Sequence, residues 1–353
     1  MIRQTYQIDI ITPCFCGGAE PEKQAEIRSS SIRGQLRWWF RVLGGFKSLA
    51  HLSLPEQESR IFGPTAGDEG TAGKLAVRVT GPRLVGKVVD DEAMKANPGS
   101  DRGYLLFPLR PEKKGRPDER RRDRAVLNER AENDPRHSFG LQFLWRDSCR
   151  LDADLMALAS VFANLGSLGF RSRRAMGALA PASRGDGITN ALQHFNTPNS
   201  IFISALPALN PNDAILKLAQ WLKSWRAHGR SNQNDTETTY PGFDFAKHDH
   251  DLAIHGGNTP AFRPALGLPL LTKYGNWNAE NPPHGKQTAG RFASPVILRP
   301  HRAADGSWHA LVIFVDAKKW PQGKQVFLNG QPRAVSLDLY DAMKADPALK
   351  PFP

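Results

Sequence analysis

Residues 29–45 of this chain, SSSIRGQLRWWFRVLGG, constrain its fold more than any other stretch. Ile32, Leu36, Trp39, Phe40 and Leu43 follow at steps of four, three, one and three residues. At about 100° per residue those steps gather them on one face of a helix. Arg33, Arg37 and Arg41 lie four apart on an adjacent face, and Trp38 points away from the apolar stripe that Trp39 joins. The segment therefore reads as an amphipathic helix that seals a core. Three serines before Ile32 give it an N-cap signature, and Gly44–Gly45 end it. Few acids lie near enough in sequence to pair with the arginine row, and like charges at i, i+4 repel by roughly 0.2–0.5 kcal/mol each. Two readings of that row stay open. It is a solvated basic face, or it is offered to a polyphosphate that guanidinium forks can grip. The free N–H groups of the helix start and the hydroxyls of Ser29, Ser30 and Ser31 would add to the second.

Around this helix the first half alternates strand and helix signals. Residues 5–12 alternate Tyr6, Ile8 and Ile10, the period of a half-buried strand. Residues 74–81 and 137–146 alternate in the same way, and residues 103–110 read as a further extended run. Residues 151–166 space Leu155, Leu158, Ala159, Phe162 and Leu165 as a helix, and a short strand follows near residue 180. That order is β-α-β-β-α-β, the ferredoxin-like unit. Residues 110–136 interrupt it with dense charge of both signs and read as a solvated loop. The second half repeats the theme less clearly. It has strands at 200–207, 260–271, 291–302 and 307–317, a helix at 212–229, a polar loop at 235–258 and a closing helix at 335–346. The fold expected is α+β, with two ferredoxin-like βαββαβ domains over residues 1–190 and 191–353.

The length, 353 residues, and a hydrophobic content of 40% agree with two globular domains. Lys and Arg total 47 and Asp and Glu 35, so the formal charge is 47 − 35 = +12. That excess favours a polyanionic partner, nucleic acid first. No run approaches the roughly 20 apolar residues of a membrane span, and the start has no signal-peptide pattern. No membrane partner and a cytoplasmic location are expected. Cys14, Cys16 and Cys149 are an odd number, which fits a reducing compartment. Cys14 and Cys16 lack a second pair at zinc-like spacing and read as small buried thiols.

A second arginine set lies at residues 166–179, GSLGFRSRRAMGAL. Gly166, Gly169 and Gly177 bracket Arg171, Arg173 and Arg174, and glycines let a backbone turn tightly and approach a ligand. The spacing fits neither a P-loop nor a dinucleotide-binding fingerprint. Phe170 is either a stacking platform for a base or a core residue. Asp244, His248, Asp249, His250, Asp251 and His255 fall within twelve residues, but as a loop they lack a rigid scaffold for a metal. Asp118 and Asp123 are flanked by arginines and read as solvated ion pairs. No Ser/His/Asp or Cys/His set stands out. No catalytic residue, no metal site and no cofactor are expected.

The strand, the glycine-paired loop at 16–18, SSSIRGQLRWWFR, the RIFGP turn at 60–64 and GSLGFRSRRAMGAL together resemble the RAMP superfamily of CRISPR systems. Within it, ALGLPLL at 265–271 and RFASPVILRP at 291–300 resemble the subunit at the guide 3′ end of type III-B effector complexes. The resemblance fails over residues 87–97, the charged insertion and the histidine-containing stretch. It implies two RRM-related domains, binding of guide RNA or target RNA, with both as candidate partners, and assembly with other RAMP subunits. It assigns Ser31, Arg33, Gly34, Arg37 and Arg41 to one RNA-binding motif. Gly166, Gly169, Arg171, Ser172, Arg173, Arg174 and Gly177 form the second. Ser167 and Ala175 stand where the family usually has glycine. The expected function is an RNA-binding structural subunit of such a complex; some relatives cleave RNA, so nuclease chemistry has to be weighed. A metal-independent endoribonuclease that processes CRISPR transcripts is the alternative.

Overall fold

The computed structural model describes residues 2–18, 20, 24–64, 72–80, 101–106, 126–127, 138–145, 150–182, 188–226, 240–272, 275–284, 286, 288–321 and 324–352. The first half runs β1 (Ile2–Ile10), α1 (Ser29–Val42), α2 (Leu54–Phe62), β2 (Leu75–Thr80), α3 (Asp101–Leu105), β3 (Ser138–Trp145), α4 (Asp152–Leu165), β4 (Leu179–Pro181) and α5 (Ile188–Leu192). Its sheet has the order β2-β3-β1-β4, antiparallel throughout. The register sets Ile8 opposite Phe139 and Tyr6 opposite Leu141 on β1 and β3, and Ile10 opposite Leu179 on β4. This is the strand order of a ferredoxin-like unit, with α1 and α4 as its two crossing helices.

The second half runs β5 (Ile201–Ala208), α6 (Pro211–Arg226), α7 (Phe243–His255), β6 (Leu270–Leu271), β7 (Asn276–Asn278), β8 (Val296–Arg302), β9 (Trp308–Val315), β10 (Gln325–Leu328), β11 (Gln331–Ala334), α8 (Asp338–Lys344) and β12 (Lys350–Pro351). Its main sheet has the order β12-β5-β9-β8, the same arrangement as in the first half. The small sheet β11-β10-β7-β6 is built from the segments between the common elements.

The apolar patterns explain how the halves join. β9, WHALVIFV, is buried on both faces, and a strand buried on both sides has to be apolar without alternation. One face of its sheet, with Ile201, Ile203, Ile297, Leu311 and Ile313, enters the first core beside Trp39, Phe40 and Phe162. The other face, with Val296, Leu298, Val312 and Phe314, packs on α6 and α8 through Trp221, Leu222 and Tyr340. Helix α4 is apolar nearly all round, and Leu155, Leu158, Val161, Phe162 and Leu165 are all buried. A helix of that kind belongs inside a core, here between two sheets.

Four expectations change. Of the strand expected at 260–271, only Leu270–Leu271 is a strand, as β6, and Arg263–Leu266 is a helical turn. Residues 103–105 are helical in α3 rather than extended, and α3 packs on α6, with Lys223 Nζ 2.6 Å from Asp101 Oδ1. The stretch 54–62 is helix α2, where the sequence reading saw only a turn at 60–64. The stretch around the histidines is helix α7 rather than a polar loop. Of the charged insertion at 110–136, only Val126 and Leu127 are among the described residues, as are none of Asp118, Asp123 and Cys149. Leu127 pairs with Cys14 through two backbone hydrogen bonds of 2.7 and 2.9 Å.

Candidate nucleic-acid interface

Helix α1 buries the stripe read from sequence: Ile32, Leu36, Trp39 and Phe40 are all within 2% of fully buried. The serines do not cap it. Arg28 holds the N-cap position, Ser29 to Ser31 form the first turn, and the Ser29 hydroxyl accepts a hydrogen bond from the Val79 N–H at 3.3 Å. Gly34 lies on the open side, with nothing within 4 Å of where a Cβ would stand.

The arginine row is not free of acids. Glu58 of α2 accepts from Arg37 Nε at 2.7 Å and from Arg41 Nε at 2.6 Å. Arg33 donates to the Phe62 carbonyl, and its Nε is buried with no acceptor. Burial alone would raise the Glu58 pKa, but the bonds from Arg41 and Arg37 outweigh it and hold the carboxyl below its usual range. Sequence distance hid this partner, because it arrives on a second helix. The signal for that helix was present: Ser53 and Glu56 form a capping box ahead of an apolar pair, Ile61 and Phe62. Arg41 keeps 43% of its side chain exposed, so the outer end of the row still faces solvent.

The glycine-rich loop departs further from expectation. Its glycines approach the chain itself rather than an open surface. A Cβ on Gly169, at φ +82°, would stand 2.6 Å from the Phe15 carbonyl oxygen, and one on Gly177, at φ +65°, would run into the Leu168 carbonyl. A Cβ on Gly166 would meet the Phe162 carbonyl. Ala175 occupies the left-handed region at φ +68° and Arg171 at φ +64°, which accounts for glycine being the more comfortable choice at position 175. Phe170 is half-buried against the second core.

The loop arginines mostly serve a seam between the halves. Arg174 donates from Nη1 to the Val296 carbonyl at 2.9 Å, and Arg173 from Nη1 to the Ser294 carbonyl at 2.6 Å. Arg171 donates from Nε to the Leu105 carbonyl at 2.5 Å. Two arginines of β8 reach the opposite way. Arg299, fully buried, donates to the Gly166 carbonyl at 3.2 Å and to the Leu179 carbonyl. Arg302 donates to Asp9 at 2.9 Å and to the Pro181 carbonyl at 2.6 Å. Burial pushes the guanidinium pKa of Arg174 and of Arg299 down to about 9. Arg299 and Arg302 escaped the sequence reading. An arginine directly after the apolar run Val296–Leu298, within a strand, was the available sign of a buried polar contact.

The two segments nonetheless meet. The Arg173 guanidinium lies over the Trp38 ring, 4.8 Å from its centroid, and Trp38 packs edge-on against Trp39 at 4.8 Å. Beside this pair is a cleft of about 200 Å³, lined by Gly34, Gln35, Trp38, Ser167, Ser172 and Arg173 among others. Ser167 Oγ is buried with no hydrogen-bond partner in the structure. Of the twelve residues singled out from sequence, Gly34, Ser172 and Arg173 line this cleft; Gln35 and Ser167 were missed. Arg37 and Arg41 lie on the Glu58 side of the same helix. Arg171, Arg174 and the three glycines serve the loop and the seam.

The remaining candidates have structural occupations. On α7, buried Asp249 accepts from the Phe262 and Arg263 backbone N–H groups at 2.9 and 2.8 Å, while Asp251 pairs with Lys247 at 2.7 Å. The Cys14 and Cys16 sulfurs are 3.2 Å apart and both buried, and the hydrogen bond to Cys16 together with burial pushes the Cys14 thiol pKa up. Asp154 accepts from the Ser48 hydroxyl and lies 2.8 Å from His194 Nδ1. In that order of contacts the serine hydroxyl donates to the carboxylate and not to the imidazole, which differs from the order of a Ser-His-Asp triad. Among the described residues no group of three or more His, Cys, Asp and Glu side chains is arranged for a metal, and no helix is long and apolar enough to cross a membrane.

The chain resembles known proteins in sequence and fold. The family model of the RAMP superfamily matches residues 7–180, from β1 through β4. The CRISPR system Cmr subunit Cmr1-2 of Pyrococcus furiosus is 39% identical over 66 residues, covering 18% of this chain and 35% of that protein. The Cmr subunit Cmr1-1 of the same organism is 26% identical over 253 residues, covering 69% of this chain and 68% of the relative. The crystal structure of Cmr1 from Pyrococcus furiosus in its apo form superposes with a TM-score of 0.58 at 16% identity, over 98% of this chain and 96% of that one. The shared fold is α+β, with the two ferredoxin-like units packed together.

Proposed function

Because the chain belongs to the RAMP superfamily, we propose that it serves as an RNA-binding structural subunit of a type III-B CRISPR effector complex, at the guide 3′ end. Guide RNA, target RNA and the other RAMP subunits are its partners, in the cytoplasm, and it performs no chemistry of its own. Its two units divide near residue 190, into 1–190 and 191–353. The names of its relatives, Cmr subunits of CRISPR systems, support the assembly.

The observation that carries the RNA reading is the contact of Arg173 with Trp38, which joins the loop to the basic helix at one cleft. An indole with a guanidinium beside it suits a nucleobase, and the serines and Gln35 suit the sugar and phosphate. Arg41, at the exposed end of the row, continues the cationic track along α1. Contacts of this kind hold backbone phosphates without naming bases, so affinity should vary little with sequence. If about six phosphates are neutralised, log affinity falls with log salt at a slope near −4.

Fluorescence anisotropy of the full chain with single-stranded RNA tests this. Replacing Arg33, Arg37 and Arg41 together by alanine weakens binding to all sequences alike and flattens the slope; unchanged affinity overturns the assignment of the helix. Incubation with repeat RNA in EDTA tests the alternative: site-specific cutting would establish a metal-independent endoribonuclease in place of a binding subunit.

A further inference from the structure

A cleft of about 610 Å³ opens where the end of β5 meets α6, and it shares no lining residue with the Trp38–Arg173 cleft. Its apolar walls are Leu206, Pro207, Trp221, Tyr240 and Ala348. The polar groups around them already hold one another. Asp101 accepts from Gln220 Nε2 at 3.0 Å and from Lys223 Nζ at 2.6 Å. Lys217 Nζ donates to the Pro207 carbonyl at 2.8 Å and lies 3.0 Å from Asp213. Ser224 Oγ donates to the Trp221 carbonyl at 2.8 Å. A polar ligand would have to break these bonds and replace them, so the chemistry left on offer is apolar surface. Nor can a strand be added at this end of β5: Pro207 has no N–H, and Lys217 occupies its carbonyl. What the cleft suits is an apolar side chain.

The same patch supplies one. Leu209 follows the cleft's own Leu206 and Pro207 and is 83% exposed, and Leu216, next to Lys217 on α6, is 42% exposed. Leu209 is held in place: its N–H donates to Asp213 Oδ2 at 2.9 Å, and Asp213 is the partner of Lys217 on the cleft rim. Removing so exposed a leucine from water is favourable. Charge permits a second copy to approach here. The chain carries a formal +12, so two copies repel over much of their surface. At this patch Asp101 and Asp213 balance Lys223 and Lys217. Such surface pairs exchange partners at small cost. A knob, a hole and matched charges side by side make a self-complementary surface, which a two-fold axis uses twice.

We propose that this patch is the interface of a homodimer, in which Leu209 of each copy enters the cleft between β5 and α6 of the other. Lys217 and Asp213 of one copy then face Asp213 and Lys217 of the second across the rim. A contact of this extent gives a concentration-dependent dimer rather than an obligate one. It does not depend on the RNA reading.

The test is sedimentation equilibrium of the full chain, free of nucleic acid, over a wide range of concentration. The average mass should rise from one chain toward two and stop there. Leu209→Asp removes the knob at an exposed position ahead of α6, where a helix start tolerates a carboxylate. It should weaken self-association about ten-fold or more. Ala348→Trp, also at an exposed position, fills the cleft and leaves Leu209 in place, and it should weaken self-association similarly. An equal mixture of the two variants is the decisive measurement. One pairing survives in it: Leu209 of the Ala348→Trp chain still fits the open cleft of the Leu209→Asp chain. The mixture should therefore associate more tightly than either variant alone. A chain that remains monomeric at every concentration overturns the proposal and leaves the cleft to a different protein. Self-association untouched by both variants places the interface elsewhere. A mixture no tighter than its components overturns the reciprocal arrangement. Circular dichroism of each variant confirms that the fold is kept.

Discussion

The face of α1 and the seam between the halves are both rich in arginine, yet their guanidiniums do different work. On α1, Arg37 and Arg41 share one carboxylate, Glu58, and keep part of their surface in water. At the seam, Arg174 and Arg299 are desolvated and donate to backbone carbonyls. An exposed, acid-paired arginine can change partners at small cost, because a surface pair is worth under about 1 kcal/mol. A buried one bonded to carbonyls cannot leave without stranding acceptors. Arginine count alone therefore does not mark a ligand site; what each guanidinium already holds decides it.

The sharpest way to break this comparison is Arg299→Ala. It strands the Gly166 and Leu179 carbonyls and leaves a cavity, so urea denaturation should show a loss of about 3 kcal/mol or more. Unchanged stability with weakened RNA binding would move the seam into the ligand class. The seam should also be sensitive to acid. His301, at 3% exposure, accepts beside Arg299, and burial followed by repulsion from Arg299 pushes its pKa down to about 3. Unfolded, it titrates near 6.5. The unfolded chain therefore takes up a proton that the folded chain refuses, and stability falls with pH below that value, by about 1 kcal/mol between pH 6.5 and 5.5. His301→Gln should flatten that part of a denaturation series.

On α1, Glu58→Gln should cost roughly 1–3 kcal/mol of stability, because the carboxylate is buried and carries the bonds of both arginines, and raise RNA affinity about two-fold or more by releasing Arg37 and Arg41 from a charged partner. Because the Glu58 pKa is depressed in the fold, its contribution is present above its unfolded pKa near 4.3 and disappears only as pH falls through the lower folded value. The two regions thus titrate in different windows. A fall in RNA affinity in Glu58→Gln would show that the carboxylate positions the row for its ligand. The smallest effect belongs to Ala175→Gly, which relieves a left-handed alanine at the loss of one buried methyl. A net stabilisation of about 0.5 kcal/mol is expected from thermal unfolding.

Periodicity made much of this molecule legible. The stripe on α1, the apolar helix α4 and the strands β1, β3 and β9 each announce themselves over several turns or alternations. Shorter elements did not. Five residues of α3 carry too little pattern to oppose an apolar run, and α7 hides its single buried edge, Ala246, Asp249 and Leu252, behind charged residues. At the candidate cleft, sequence pointed to Gly34, Ser172 and Arg173 but not to the occupants of the guanidiniums. Glu58 lies 17 residues beyond Arg41, and the carbonyls of Ser294 and Val296 more than a hundred residues beyond the loop. Backbone acceptors have no side-chain signature, so no spacing rule anticipates them.

The sheet that is covered on both sides has a practical consequence for anyone who would divide this protein. Severed near residue 190, the C-terminal fragment would present Ile201, Ile203, Ile297 and Ile313 to water as one greasy plane. It would be prone to clump by itself, and the partner best shaped to rescue it from solution is the missing N-terminal fragment.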